Sequence, residues 1–169
     1  MADLVTHLCS GLLPGALLGA PRAVWLGLGA VLPDLGARVP GLALDLLRRA
    51  GLPLPTGLDT PLSVLHMPVG IVCGAVLISA LVHPAQRGAA VRWLLAGGLL
   101  HLAVDLLQDH HGHGYFLLWP LSSWRYELGW MGSEATVFAA PILAVITVLA
   151  WALRWRLVGS ASAASLPED

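Results

Sequence analysis

The 169-residue chain contains no lysine, and its nine arginines supply all of the fixed positive charge. Charged residues make up only 11% of it, against about 25% in an ordinary soluble domain. So few charges cannot cover a water-facing surface, which argues against a soluble globule. The formal net charge is -1, and no basic patch exists to neutralise nucleic-acid phosphates. Cysteine is also scarce. Cys9 and Cys73 stand singly in apolar segments, which excludes a disulfide framework and predicts two small buried hydrophobes. The N-terminus lacks a positive stretch, carries Asp3 and has His7 inside its apolar run. It therefore does not read as a cleaved signal peptide. No Gly-x-Ser-x-Gly elbow occurs: Gly11, Gly15 and Gly19 hold no nucleophile between them, and serine-hydrolase chemistry loses its support.

What is present is apolar length. Hydrophobic residues make up 57% of the chain and the mean hydropathy is +0.77. Residues 61–82 and 135–153 contain no Lys, Arg, Asp or Glu, and a membrane span needs ~20 such residues. The pattern predicts an all-α, polytopic membrane bundle of about five helices, over 4–18, 24–35, 62–82, 93–107 and 135–153, with the third, fourth and fifth fully spanning. Pro21 and Arg22 divide the first two helices. Segment 36–61 reads as a Gly/Pro-rich connection holding a small interfacial helix at 42–47, ahead of Arg48 and Arg49. Residues 83–92 read as a loop, and 108–133 as a long polar-aromatic loop. In the latter, Trp119, Trp124, Tyr126 and Trp130 suit a membrane-interface belt. The domain covers 1–158, and the Ser/Ala-rich tail 159–169 reads as disordered.

Against this background one stretch stands out. Residues 101–113 hold four of the seven histidines and two of the seven aspartates. On a helix, His101 and Asp105 are four apart and share a face. Imidazole and carboxylate in that arrangement form half of a zinc site. Alternation of the helices brings His7, Asp34, His66, His101, Asp105, Glu127, Glu134 and the His110, His111 and His113 loop to one side. Arg22, His83, Arg87, Arg92, Arg154 and Arg156 fall on the other. Single residues have blander readings. Asp34 suits a helix-end turn, Glu134 suits a helix N-terminus, and the His110–His113 loop suits solvent. The pattern as a whole predicts one pocket of His7, Asp34, His66, His101 and Asp105, with Glu134 and His111 at its rim.

These residues resemble the inner-membrane metal-dependent hydrolase family, the small LexA-regulated integral membrane hydrolases of bacteria and archaea. The resemblance rests on His7, Leu32-Pro33-Asp34, His66, His101-x3-Asp105, Leu118-Trp119-Pro120-Leu121-Ser122 and Glu134, and covers residues 1–153. Two positions depart from the family pattern. Gly36 stands where relatives often carry a second aspartate, and residues 59–66 contain one histidine where many relatives have a His-Arg-Gly-x-x-His-Ser run. A more distant similarity, through His101, Asp105 and His111, is to the zinc-dependent phospholipase C and single-strand nuclease superfamily.

The resemblance implies a divalent metal, zinc above others, held by His7, Asp34, His66, His101, Asp105 and His111. It implies hydrolysis of a phosphoester or lipid-linked substrate by a metal-activated water, with Glu134 or Asp34 as general base. The rival class is a metal-binding or metal-transporting membrane protein. The partner in either case is the lipid bilayer. The arginine count, five against four, together with Arg154 and Arg156 flanking the last span, predicts a cytoplasmic C-terminus. The metal site then faces the outer side of the cytoplasmic (inner) membrane.

Overall fold

Asp3 starts the first helix. Its carboxylate accepts from the Thr6 backbone N–H at 2.9 Å and from the Thr6 hydroxyl at 2.6 Å, satisfying a donor that a helix N-terminus leaves orphaned. The computed structural model describes residues 3–55, 64–132 and 134–163. Helix α1 (Leu4–Leu18) ends at Gly19, whose φ of 97° is accessible only to glycine without strain. Helix α2 (Ala20–Arg49) follows at once, with Pro21 in its first turn. The chain thus reverses at Gly19, and Pro21 and Arg22, predicted to divide the two helices, lie in the first turn of α2.

Helix α2 overturns the predicted connection. It continues through Pro33 and Pro40 to Arg49 and absorbs the separate helix expected at 42–47. A proline clashes with the carbonyl four residues earlier. Here those positions are Gly29 and Gly36, where a backbone without Cβ can tilt the carbonyl aside. An Arg38–Asp34 ion pair at i, i+4 also bridges the two turns at 2.9 Å. Residues 56–63 of the predicted connection and third helix, Asp59 among them, lie outside the described residues.

Helix α3 (Pro68–Ala80) is shorter than predicted. Pro68 occupies its first turn and holds Met67 extended, at φ -92° and ψ 160°. Thirteen residues rise only ~20 Å, too little for a bilayer core of ~30 Å. Helix α4 (Pro84–Leu106) is longer than predicted because Pro84 begins a helix and does not end one. His83 caps it through Nδ1, which accepts from the Ala85 N–H. Helix α5 (Glu134–Ala163) contains the predicted span and runs on into the expected tail, where Ser and Ala are compatible with helix. Residues 164–169 lie outside the described residues.

The result is all-helical, with five helices and no strand among the described residues. Helix α4 and residues 134–159 of α5 are long and apolar enough to cross a membrane. Helix α1 runs antiparallel to α2 and parallel to α5, as shown by Thr6 bonding the Thr136 carbonyl, Trp151 the Leu12 carbonyl and Arg154 the Ala16 carbonyl. Helices α2 and α4 run parallel in backbone contact. A Cβ on Gly97 would overlap the Leu26 carbonyl oxygen and the Ala30 nitrogen. Cys9 is buried as predicted, whereas Cys73 is exposed on α3.

The segment after α4 folds back over the end of that helix. Leu128 donates to the Leu106 carbonyl and Trp130 to the Leu107 carbonyl, which satisfies acceptors that a helix C-terminus leaves open. Tyr115 pairs with Tyr126 through both backbone groups. Tyr115 thereby packs with Met67, Ile71 and Leu102.

Candidate metal centre

Four elements converge at one end. Helix α1 contributes His7, α2 contributes Asp34, the turn before α3 contributes His66, and α4 contributes His101 and Asp105. All five side chains are buried, His7, Asp34, His101 and Asp105 at 0% exposure. The sequence places these five in one pocket, and the structure brings them there. The close passage at Gly97 is what seats His101, since it lets the Nδ1 nitrogen reach the Ala30 carbonyl at 2.7 Å. A carbonyl oxygen only accepts, so Nδ1 carries the proton and Nε2 presents its lone pair.

That lone pair faces the Asp105 Oδ2 oxygen at 3.3 Å. His7 Nε2 lies 3.2 Å from Asp105 Oδ1 and 4.0 Å from Asp34 Oδ2. The His7 and His101 rings stack with centroids 3.7 Å apart, and the His66 ring lies 5.4 Å from His101. His66 Nε2 donates to Asp34 Oδ1 at 2.8 Å, and Arg38 Nε donates to the same oxygen at 2.9 Å. His7 Nδ1 and Nε2, His101 Nε2 and Asp34 Oδ2 are buried without a hydrogen-bond partner among the described residues.

Buried polar atoms are costly when unsatisfied, about 1–3 kcal/mol each. Several together in one cluster point to a missing partner that they share. A cation fits. His7 Nε2 and His101 Nε2 each face a different oxygen of Asp105, at 3.2 and 3.3 Å, close enough for the three side chains to reach one ion. Two groups of three could hold an ion, His7 with His101 and Asp105, and Asp34 with His66 and His101. His101 belongs to both, so the two positions are neighbours and not independent sites. An ion at the second position would take the place of the proton between His66 and Asp34.

The surroundings hold the ligands in place. The Tyr115 hydroxyl donates to Asp105 Oδ2 at 2.6 Å. Burial, together with the neighbouring Asp105 carboxylate, pushes that hydroxyl far above the usual tyrosine range. It therefore remains a neutral donor. His110 Nε2 lies 3.5 Å from the same hydroxyl. Glu127 binds the His110 and Gly112 backbone N–H groups at 2.9 and 3.0 Å, which fixes the turn above the site.

Two predicted members stand elsewhere. His111 is exposed, with φ 54°, and belongs to neither ligand group. Helix α4 ends at Leu106, so the helical register linking Asp105 to His111 is broken, and the turn directs His111 to solvent. Glu134 is exposed in the first turn of α5, also outside both groups. The Thr6–Thr136 bond sets that turn beside α1 at the same end of the molecule.

Sequence reasoning missed Tyr115, Arg38 and Gln108. Gln108 is fully buried, and both polar atoms of its amide lack a partner. Its position three residues after Asp105, one helical turn on, is the signal that could have found it. Arg38 was legible as the i+4 partner of Asp34. No family model, curated protein or solved structure matches the chain.

Proposed function

We propose that this protein is an integral membrane, metal-dependent hydrolase whose ligand cluster lies near one membrane surface. The observation that carries the reading is the set of buried, partnerless nitrogen and carboxylate atoms. They gather with Asp105 and His66 into two groups of three whose ligand atoms lie within 4.8 Å of one another, a spacing that suits a bound ion. Imidazole and carboxylate donors without thiolate suit zinc. The similarity to the inner-membrane metal-dependent hydrolases supports the same chemistry and a phosphoester or lipid-linked substrate.

A membrane setting is supported by the surface of α5. Val137, Phe138, Ile142, Val145, Val148 and Leu149 are all exposed, on a long apolar helix that the rest of the molecule leaves mostly uncovered. A core helix would cover those side chains, and water does not tolerate so large an apolar face. The helices that fall short of a full span, α1 and α3, pack against their neighbours on one side and leave Leu17, Val76 and Leu77 among their exposed residues.

A bound divalent metal supplies a Lewis acid and lowers the pKa of a coordinated water. The protein's residues do the rest. His7, His101 and Asp105 hold one position, and Asp34 and His66 the adjoining one. Tyr115 orients Asp105, and the Ala30 carbonyl fixes the tautomer of His101. Asp34 Oδ2, buried and without a hydrogen bond, serves as the proton acceptor. Glu134, exposed in the first turn of α5 on the same side as the start of α1, is the alternative base. Transport would place the ligands near mid-bilayer in broken helices, whereas this cluster gathers at one end of α1 and α4.

Metal analysis of the detergent-purified protein tests the reading. We expect stoichiometric zinc or a similar divalent ion in the wild type and its loss in His101→Ala and Asp105→Asn. Phosphodiester hydrolysis should be lost with it. Wild-type protein that binds no divalent metal would sink the proposal. Metal without hydrolysis of any ester would leave the binding-protein reading in its place.

A further inference from the structure

The arginines at the opposite end of the molecule do different jobs. Arg87 donates to the Val82 and Ala80 carbonyls at 3.0 and 3.1 Å, which closes the end of α3. Arg154 donates to the Ala16 carbonyl at 2.7 Å and closes the end of α1. Both satisfy orphaned helix acceptors. Arg22 and Arg92 have no such role. Arg92 bonds through Nε to the Gly88 carbonyl of its own helix. Arg22 makes no hydrogen bond or ion pair among the described residues.

These two exposed side chains instead line one open cleft. Arg22 on α2 and Arg92 on α4, with Trp93 and Ala96, line a space of about 340 Å³. The parallel packing of α2 and α4 is what aligns them. Among the described residues, no acidic side chain pairs with either arginine. Two guanidinium groups lining one cleft make a favourable place for an anion between them. Arg22 stands in the first turn of α2, which has no side-chain cap, near the positive end of that helix's dipole. The guanidinium fork matches the oxygens of a phosphate in particular.

We propose that Arg22 and Arg92 form a binding site for a phosphate oxyanion, remote from the metal centre and independent of it. The phosphate can come from an anionic phospholipid headgroup or from a free phosphate. Only the lipid source rests on the membrane reading above. In the lipid case Trp93 is the interfacial aromatic beside the headgroup.

Thermal unfolding of the full chain distinguishes the sources. One arm compares detergent-solubilised protein in sodium phosphate and in sodium chloride at equal ionic strength. The other compares vesicles of phosphatidylcholine with vesicles that also contain phosphatidylglycerol. Stabilisation by phosphate in detergent indicates a site open to free phosphate, and stabilisation by phosphatidylglycerol alone indicates a headgroup site. In either arm R22Q and R92Q should each weaken apparent binding about tenfold, the loss of one charge-assisted contact. R22Q/R92Q should abolish the response, R156Q should retain it, and metal content should be unchanged in all four. A wild type unresponsive in both arms overturns the proposal. So does an unchanged response in the single variants, which decides the matter even where the double variant does not fold. Equal loss in R156Q would replace the site with diffuse surface charge.

Discussion

An imidazole has two ring nitrogens, and the hydrogen bond made by one determines what the other can do. At His101 the Ala30 carbonyl accepts a hydrogen bond from Nδ1–H and leaves the Nε2 lone pair facing Asp105. The His101-x3-Asp105 spacing was legible in the sequence because residues four apart on a helix always share a face. Tyr115 was not legible, because its approach to Asp105 depends on how the segment after α4 folds back. It now carries a prediction. Tyr115→Phe removes one hydrogen bond to a ligand without removing the ring from the Met67, Ile71 and Leu102 cluster. Metal affinity should fall ~10–100-fold, the usual effect of losing such a support. Chelator competition measures it, and an unaltered affinity would take Tyr115 out of the centre. His111→Ala, by contrast, should leave affinity unchanged, since its exposed ring meets neither ligand group.

Helix boundaries followed the prolines, but in a way that the residues alone left ambiguous. Pro84 and Pro68 open helices, Pro33 and Pro40 lie within one, and all four are simply Pro in the sequence. Neighbouring glycines and the packing partner decide which role a proline takes. The contact of α2 with α4 is the interface that matters most for the site. Gly97→Ala places a Cβ against the Leu26 and Ala30 backbone, so the helices must separate. We expect a destabilisation of about 1–3 kcal/mol and a lower metal content, because Ala30 holds His101. Gly88→Ala lies on the same helix with nothing within 4 Å of the added carbon. It should be neutral or stabilising by about 0.5–1 kcal/mol through helix propensity. Thermal unfolding of the two variants in one detergent makes the comparison. Equal midpoints would show that the α2–α4 contact yields freely.

The whole molecule is polarised. The ligand cluster occupies one end, and Arg22, Arg87, Arg92, Arg154 and Arg156 gather at the other. In our membrane reading the arginine-bearing end faces the cytoplasm. A reporter fused to the C-terminus should therefore be active inside the cell. Activity confined to the outside would reverse the orientation, and substrates would then be sought at the inner leaflet. The metal centre itself does not depend on this outcome.

Composition and spacing determined the helical class, the apolar runs in α4 and α5, and the five residues of the buried cluster. Each of these follows from local chemistry: helix period, hydropathy, and the cost of placing ionisable groups among apolar ones. Tertiary structure alone decided the remainder. It set α2 and α4 in contact at Gly97, recruited Tyr115 and Gln108 to the buried interior, and turned His111 outward. Those outcomes depend on the close approach of segments far apart in the chain, and no periodicity within a single segment encodes such an approach.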